Sequence, residues 1–392
     1  MARADLLLAL NAGSSSIKFG VYEALRPSAR RIGRGLIDLQ RQPLTLHIVE
    51  GPRAVDLPLK AQLDADLHGV VDETLGWLAD HFSFDALAAI GHRVVHGGDR
   101  FAGPAVIDDA ALDAIVALTP LAPLHQPESI RLIRAVRRLR PETVQTASFD
   151  TAFHRSQSDL VRRFALPRRL FDEGVKRYGF HGLSYKYIAA RLARLAPDLA
   201  RGRVIAAHLG SGASLCALRG GSSCDTSMGF STLDGVPMAT RCGALDPGVL
   251  IHLLKERRMP IAALEDMLYH ESGLLGISAI SGDSRVLLSS EAPAAREALA
   301  LFAFRVSKEI AALATTIGGI DAIVFTAGVG EHQAAVRASI CEGLAWLGAT
   351  IDPKANTENA LRIEGPNSAI ALFVIATDEE QTIADEAVDV LR

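Results

Sequence analysis

LLLALNAGSSSIKFGVY, residues Leu6–Tyr22, decides how the rest of the chain is read. Leu6–Leu10 is a nearly all-apolar run, long enough for a buried strand and too short for a helix. Ile17–Tyr22 reads as a second strand. Between them Asn11-Ala12-Gly13-Ser14-Ser15-Ser16 is a polar turn of small residues, followed by Lys18. Such a turn lets backbone N–H groups and hydroxyls come close to a phosphate, with Asn11 and Lys18 as a metal-shell group and a positive charge. An ordinary glycine hairpin explains the same residues. An echo about half a chain later favours the phosphate reading: VIAAHLGSG at Val204–Gly212 runs into ASLCAL at Ala213–Leu218. Placing Gly13 on Gly210 and Ser14 on Ser211 superposes strand, turn and strand. That repeat predicts a duplicated domain whose two turns face one ligand.

The chain has 392 residues, 49% hydrophobic and 22% charged, which is room for two globular domains. A formal net charge of −4 provides no basic field for nucleic acid. Arg131, Arg134, Arg137, Arg138 and Arg140 cluster beside Ile130, Leu132, Ile133 and Val136, the pattern of a solvated helix face. Basic residues cluster again from Arg162 to Arg177. Cys216, Cys224, Cys242 and Cys341 form no CxxC pair or metal spacing, so free thiols in a reducing compartment are expected. The apolar run after Arg3 is too short for a signal peptide, and no run approaches a membrane span. A cytoplasmic protein without membrane or nucleic-acid partners is expected.

In chain order, Arg34–Leu39 and Leu44–Val49 read as further strands. Leu63, Leu67, Val70, Val71, Leu75 and Leu78 predict a helix from Ala61 to about His81. Ala88–Val95 is a buried strand closed by Gly97-Gly98, and PLAPLHQP at Pro120–Pro127 is a loop. Ser129–Leu139 is a helix, and Thr143–Phe149 a strand ending at Asp150. Strands first, then alternating helix and strand, predict α/β with a mixed sheet. Asp150–Gly182 offers little beyond a short helix near Ser158–Arg163. Ser184–Leu195 is helical, and Gly220-Gly221 is a hairpin turn. Asp225–Gly248 has neither period, and a loop that long in a compact domain is functional more often than not. A long helix spans Ala292–Ile317, a strand Ala322–Thr326, and Ala327–Gly330 links it to a helix reaching about Leu347. Ala369–Ile375 is the last strand and Glu379 opens the last helix.

Several of these segments form long, ordered motifs: NAGSSSIK (Asn11–Lys18), GHRVVHGG (Gly91–Gly98), FDTAFH (Phe149–His154) and YGFHG (Tyr178–Gly182). DTSMGF (Asp225–Phe230), ATRCGALDPG (Ala239–Gly248) and FTAGVGEH (Phe325–His332) complete the set. Together they resemble the acetate kinase family over almost the whole chain. The resemblance implies two duplicated actin-like (RNase H-like) domains, mixed sheets flanked by helices, with a nucleotide cleft between them, in a homodimer. It implies domains at residues 1–150 and 151–379, with a C-terminal helix, 380–392, returning to the first domain.

The implied reaction is reversible phosphoryl transfer from ATP to a short carboxylate, giving ADP and an acyl phosphate, with Mg2+ (or Mn2+). The resemblance assigns Arg93, Arg241, His181 and Asp150 to catalysis. Asn11 and Glu379 match the metal-shell positions, with Glu380 one residue away. Lys18, His208, Leu209, Gly210, Ser211, Gly212, Asp283, Ser284, Arg285, Gly328, Val329, Gly330, Glu331 and His332 match the nucleotide segments. Val95, Leu124, Phe180 and Thr232 match the pocket for the substrate's apolar end.

A carboxylate of pKa about 4 to 5, by analogy with Glu, is already ionised at pH 7 and needs no general base. Bringing an anion up to a polyanion instead requires positive charge and positioning. Arginine suits both, because its planar fork holds oxygens in pairs. Asp150 is therefore expected to orient an arginine or the magnesium shell. Each assignment has a structural alternative: Arg93 in an ion pair, His181 as a satisfied loop histidine. His92 and His96 would suit zinc on a helix, but strand-like Val94-Val95 argues against metal ligation. Where Ser211, His332, Gln126, Leu183, Tyr185 and Thr232 stand, the family more often has Asn, Asn, Asn, Thr, His and Pro. Thr232 bears on the acceptor, Ser211 and His332 on the nucleotide base. The alternatives are a kinase for propionate or another short acid, an actin-like structural ATPase, and a relative that binds nucleotide without turning it over.

Overall fold

The computed structural model describes residues 5–13, 16–39, 42–63, 67–82 and 87–391. Ser14 and Ser15, central to the first turn, lie outside them. The chain forms two compact units, Met1–Phe153 with Asp378–Arg392, and His154–Thr377.

Unit 1 is built on an eight-stranded mixed sheet in the order β5-β4-β3-β2-β1-β6-β8-β7. Its strands are β1 (Leu6–Ala12), β2 (Ser16–Glu23), β3 (Arg30–Asp38), β4 (Thr45–Glu50), β5 (Arg53–Pro58), β6 (Leu87–Val94), β7 (Ala105–Val106) and β8 (Val144–Phe149). β1 pairs antiparallel with β2 and parallel with β6, which is parallel to β8. Every residue of β1 is buried, the signature of a strand covered on both faces. On one face Leu6, Leu8 and Leu10 join a core with Leu75 and Leu78 of α1 (His68–Phe82) and Leu132 and Val136 of α3 (Gln126–Leu139). A second cluster gathers α2 (Asp109–Ala117), β8 and Phe101. The C-terminal helix (Glu379–Val390) packs on β1, β6 and β8. It comes so close that a Cβ on Gly91 would sit 2.7 Å from Ile383 Cγ2.

Unit 2 holds a five-stranded sheet in the order β11-β10-β9-β12-β13, from β9 (Arg203–Leu209), β10 (Ala213–Arg219), β11 (Ser222–Thr226), β12 (Ala322–Thr326) and β13 (Ala371–Val374). Its pairings run antiparallel, antiparallel, parallel, parallel. β3-β2-β1-β6-β8 of unit 1 has the same order and senses, which is the duplication the repeated turn predicts. In each turn the glycine N–H bonds back to a carbonyl of the same turn: Gly13 to Ser16 at 2.8 Å, Gly210 to Gly212 at 3.1 Å. The helices begin with α4 (Asp159–Arg162), α5 (Arg168–Asp172), α6 (Gly182–Leu195) and α7 (Pro197–Ala200). α8 (Pro247–Lys255), α9 (Ile261–His270), α10 (Gly273–Ser278), α11 (Ser284–Leu288) and α12 (Pro293–Ile317) follow. α13 (Ala327–His332), α14 (Ala334–Glu342) and α15 (Pro353–Thr357) complete them. α12 lies on the sheet and buries Phe302, Ala303, Val306, Ile310 and Leu313.

Some expectations need correction. α1 starts at His68 rather than Ala61, and Leu63 is exposed ahead of it. Pro120–Pro127 is not wholly loop. A 3-10 turn spans Thr119–Leu121 and α3 opens at Gln126, because proline is well tolerated in a helix's first turn, where no N–H partner is required. The helix after β12 is broken at Gln333 rather than continuous to Leu347. No helix of the described residues is long and apolar enough to cross a membrane.

Candidate active site

In unit 1 three of the predicted residues stand at the carboxyl ends of parallel strands, the end where open α/β sheets bind ligands. Asn11 is near the end of β1, Arg93 near the end of β6, and Asp150 follows β8 directly. Asp150 is 1% exposed and grips Arg93 in a two-pronged pair, Nε to Oδ1 at 3.0 Å and Nη2 to Oδ2 at 2.6 Å. Burial works against the Arg93 charge, but Asp150 and then Glu379 and Glu380 hold its pKa above the ordinary value. Arg93 Nη1 also donates to Asn11 Oδ1 at 3.3 Å. Asn11 Nδ2 in turn donates to Glu379 Oε2 at 2.9 Å and Glu380 Oε1 at 2.7 Å. Both glutamates open the C-terminal helix, which is capped by Asp378, itself paired with Arg31. Burial raises the Glu380 pKa and the charge of Glu379 adds to it, against Asn11 and Lys18. Lys18, opposite Asn11 in register, has an exposed side chain.

Two carboxylates gathered on one amide suit a hard divalent cation. Among the described residues no cluster of three His, Cys, Asp or Glu side chains forms a cage. The pair of glutamates itself matches magnesium, which is held by one or two carboxylates together with water and substrate phosphates.

In unit 2 the predicted residues form two groups. His181 and Arg241 converge on the second glycine turn. A Cβ on Gly212 would lie 3.4 Å from His181 Nε2 and 3.7 Å from Arg241 Nη1, so both side chains reach the turn to contact distance. His181 is held by Ser214 Oγ at 2.8 Å from Nδ1 and by stacking on His208, centroids 4.2 Å apart. His208 Nδ1 is 2.8 Å from Ser184 Oγ. The Tyr185 hydroxyl bonds to Ser214 as well. Arg241 Nη1 donates to Thr232 O at 3.2 Å.

Alongside, a pocket of about 720 Å³ is lined by Gly210, Ser211, Asp283, Ser284, Arg285, Gly328, Val329 and His332, all expected there, and by Ala239, Leu274, Gly282, Phe302 and Gln333. Its size is that of a small-molecule site. Arg285 pairs with Asp283 at 2.6 Å on the rim and lowers its pKa. Gln333 Nε2 joins the two sides through Ser284 Oγ at 2.6 Å. Leu209 is buried in β9. Glu331 does not line the pocket: its Oε1 accepts from Ala327 N at 2.8 Å and Thr377 N at 3.1 Å. Val95 is buried and Leu124 exposed in unit 1, while Phe180 and Thr232 are buried in unit 2.

Residues 6–385 match the acetokinase family. The chain belongs to that family. It is 46% identical over 387 residues to the acetate kinase of Rhodopseudomonas palustris (strain TIE-1), covering 97% of each chain. A crystal structure of a Porphyromonas gingivalis acetate kinase superposes with a TM-score of 0.88 at 33% identity, over 99% of this chain and 100% of that one. A Francisella tularensis propionate kinase does so with 0.90 at 34% identity, over 97% and 98%. The fold is therefore the duplicated actin-like one of acetate kinase structures, and the chain is an enzyme of acetate-kinase type. Its reaction is ATP-dependent phosphoryl transfer to a short-chain carboxylate.

Three supports were not identified from sequence. Ser214 is remote in sequence from His181, and Tyr185 stood out only as a departure from a motif. Arg337, 0% exposed, gives its hydrogen bonds to neutral oxygens, among them Gly330 O at 2.8 Å and Asn356 Oδ1 at 2.8 Å, and so braces the turn behind the pocket. A lone arginine in a helix carries no signal of this.

Proposed function

We propose that the acceptor is acetate, that the product is acetyl phosphate, and that the reaction draws on groups of both units. Unit 1 contributes Arg93, preset by Asp150; unit 2 contributes Arg241, His181 and the pocket for ATP. The observation that carries this reading is the convergence of His181 and Arg241 on bare Gly212 at a nucleotide-sized pocket. The acceptor carboxylate is ionised at neutral pH and attacks without a base. Arg93 and Arg241 supply the positive charge that offsets the repulsion between acceptor and phosphate. His181, fixed by Ser214 and His208, donates to the oxygens of the group in transit. Asp150 orients Arg93 and removes no proton. Asn11, Glu379 and Glu380 would hold a Mg2+ or Mn2+ ion, which when bound neutralises phosphate charge.

The relative exposure of α8 favours a homodimer. Pro247–Lys255 buries none of its residues, and Val249, Ile251 and Leu254 face solvent. The nearby start of α9 leaves Ile261 75% exposed. Apolar surface of this kind calls for a partner, and we assign it to a second copy of this chain.

Propionate is the rival acceptor, because Thr232 at the substrate wall differs from the family's proline. One methylene is worth about 10- to 200-fold in such a pocket. Trapping acyl phosphate with hydroxylamine, from ATP and a series of short acids, is the test. Acetate should give the largest kcat/KM. A larger value for propionate would overturn the acetate assignment, and no hydroxamate from any acid would overturn the reading as a whole.

A further inference from the structure

We propose that Gln126 is a positioning residue that sets the size limit for the acceptor by tying Val95 and Leu124 to each other. The proposal rests on the acceptor reading given above, in which the family resemblance places those two residues at the acid's apolar end. Gln126 is the first residue of α3 and is 0% exposed. Its side-chain amide makes three hydrogen bonds, all with backbone. Oε1 accepts from His96 N at 3.0 Å, and Nε2 donates to His96 O at 3.0 Å and to Ile115 O at 3.2 Å. The partners themselves fix which end of the amide is which, since a carbonyl accepts only from N–H and a backbone N–H needs an acceptor. One side chain thus joins the loop after β6, the last turn of α2 and the start of α3.

The physical consequence is a wall that does not give. Around Val95 the backbone is held group by group. Val94 O accepts from Asp150 N at 3.1 Å, His96 is held at both its N–H and its carbonyl, and Gly97 N donates to Thr151 Oγ1 at 2.9 Å. Gly98, at φ +58, donates to His96 Nδ1 at 3.0 Å, and a Cβ there would lie 2.8 Å from Leu118 Cδ2. Val95, itself buried, therefore stands between two fixed residues, the first of them bonded to the residue that grips Arg93. On the other side, His125 N and Gln126 N both return to Ala122 O, at 3.1 and 2.9 Å, which closes the turn that carries Leu124. Gln126 links that turn to the Val95 segment. A pocket sorts acids by length only if its walls stay in place when a longer acid presses on them, and breaking buried bonds to backbone is costly.

Gln126→Met keeps the length of the side chain and removes all three bonds. The acetate-to-propionate ratio of kcat/KM should fall toward unity by at least about threefold, out of the 10- to 200-fold that one methylene is worth. KM for acetate should rise and KM for ATP should not move. Lost stability alone would lower turnover of both acids alike, so the ratio is the readout that separates positioning from folding. Val95→Ala removes the wall itself, and in that background Gln126→Met should leave the ratio unchanged. If Gln126→Met does not fold, Gln126→Asn, an amide too short to keep all three bonds, replaces it with the same expectation. Hydrogen exchange tests the tie in the wild type: the His96 amide should exchange at least about tenfold more slowly than exposed loop amides. A His96 amide as fast as those, a variant with the wild-type acid ratio, or an equal shift in the Val95→Ala background would overturn the proposal. A wild-type chain inert toward every acid would instead defeat the acceptor reading, so the two failures are told apart.

Discussion

Arg93 and Arg241 are chemically alike and structurally unlike. Arg93 is locked against a carboxylate that is 1% exposed, whereas the guanidinium of Arg241 rests on a carbonyl and lies 3.7 Å from the Met238 sulfur. Replacing either by Ala should lower kcat roughly a hundredfold or more, as loss of a preorganised charge contact does. Stability should separate them. Arg93→Ala leaves Asp150 as a buried charge without its counterion, a loss of about 3–5 kcal/mol, while Arg241→Ala should cost little. Urea midpoints of the two variants check this, and Arg93→Ala with Asp150→Ala should recover part of the loss. Equal midpoints for the single variants would mean that Asp150 is not stabilised by Arg93. The charged residues were legible because each stands in a dense motif. Their supports were not, since the bonds from Ser214 and Tyr185 to the His181 site depend on tertiary adjacency that no spacing encodes.

Elements were legible in proportion to how clearly their apolar residues are patterned. β1 and α12 carry strong apolar patterns and came out with nearly the right bounds. β5 has the burial pattern exposed, exposed, exposed, exposed, intermediate, exposed, so it offers no alternation to read. α8 is the opposite case: its apolar residues exist but face outward, so a pattern that usually marks the core here marks a surface. If that surface is the contact with a second copy, Ile251→Asp should shift the protein from dimer to monomer in sedimentation or light scattering. A carboxylate at the centre of an apolar interface is desolvated without a partner, so the dissociation constant should rise by at least about tenfold. A wild type already monomeric at micromolar concentration would remove the proposal. The variant should keep its fold, since Ile251 is already 54% exposed.

At the scale of the molecule, both units bury neutral histidines. His92 and His96 in unit 1 and His154 in unit 2 are all lowered to about 4 by burial, against the ordinary 6.5. The folded form therefore stays neutral where the unfolded chain takes up protons. Stability is complete above about pH 6.5, falls as the pH drops toward 4, and then levels, by up to about 3 kcal/mol per histidine. Denaturant midpoints at pH 7.5, 6 and 5 should decline in step, and His92→Leu should flatten the decline of unit 1. An unchanged slope in that variant would place the acid sensitivity elsewhere. The duplication itself was the most legible large feature, because two Gly/Ser turns between strands repeat in one chain. The C-terminal helix was recognised as a helix from sequence, and only the resemblance implied where it would return.

That return has a consequence for biosynthesis. Unit 2 is one continuous stretch, but unit 1 is completed by a helix whose residues are joined to the chain after all of unit 2. Until then the sheet face around Gly91, shaped to receive Ile383, has nothing to cover it, and a nascent chain at that stage is open to chaperones and to aggregation. Glu379 and Glu380 ride on the same late segment. Until that segment docks, Asn11 lacks the two carboxylates that it engages in the folded chain.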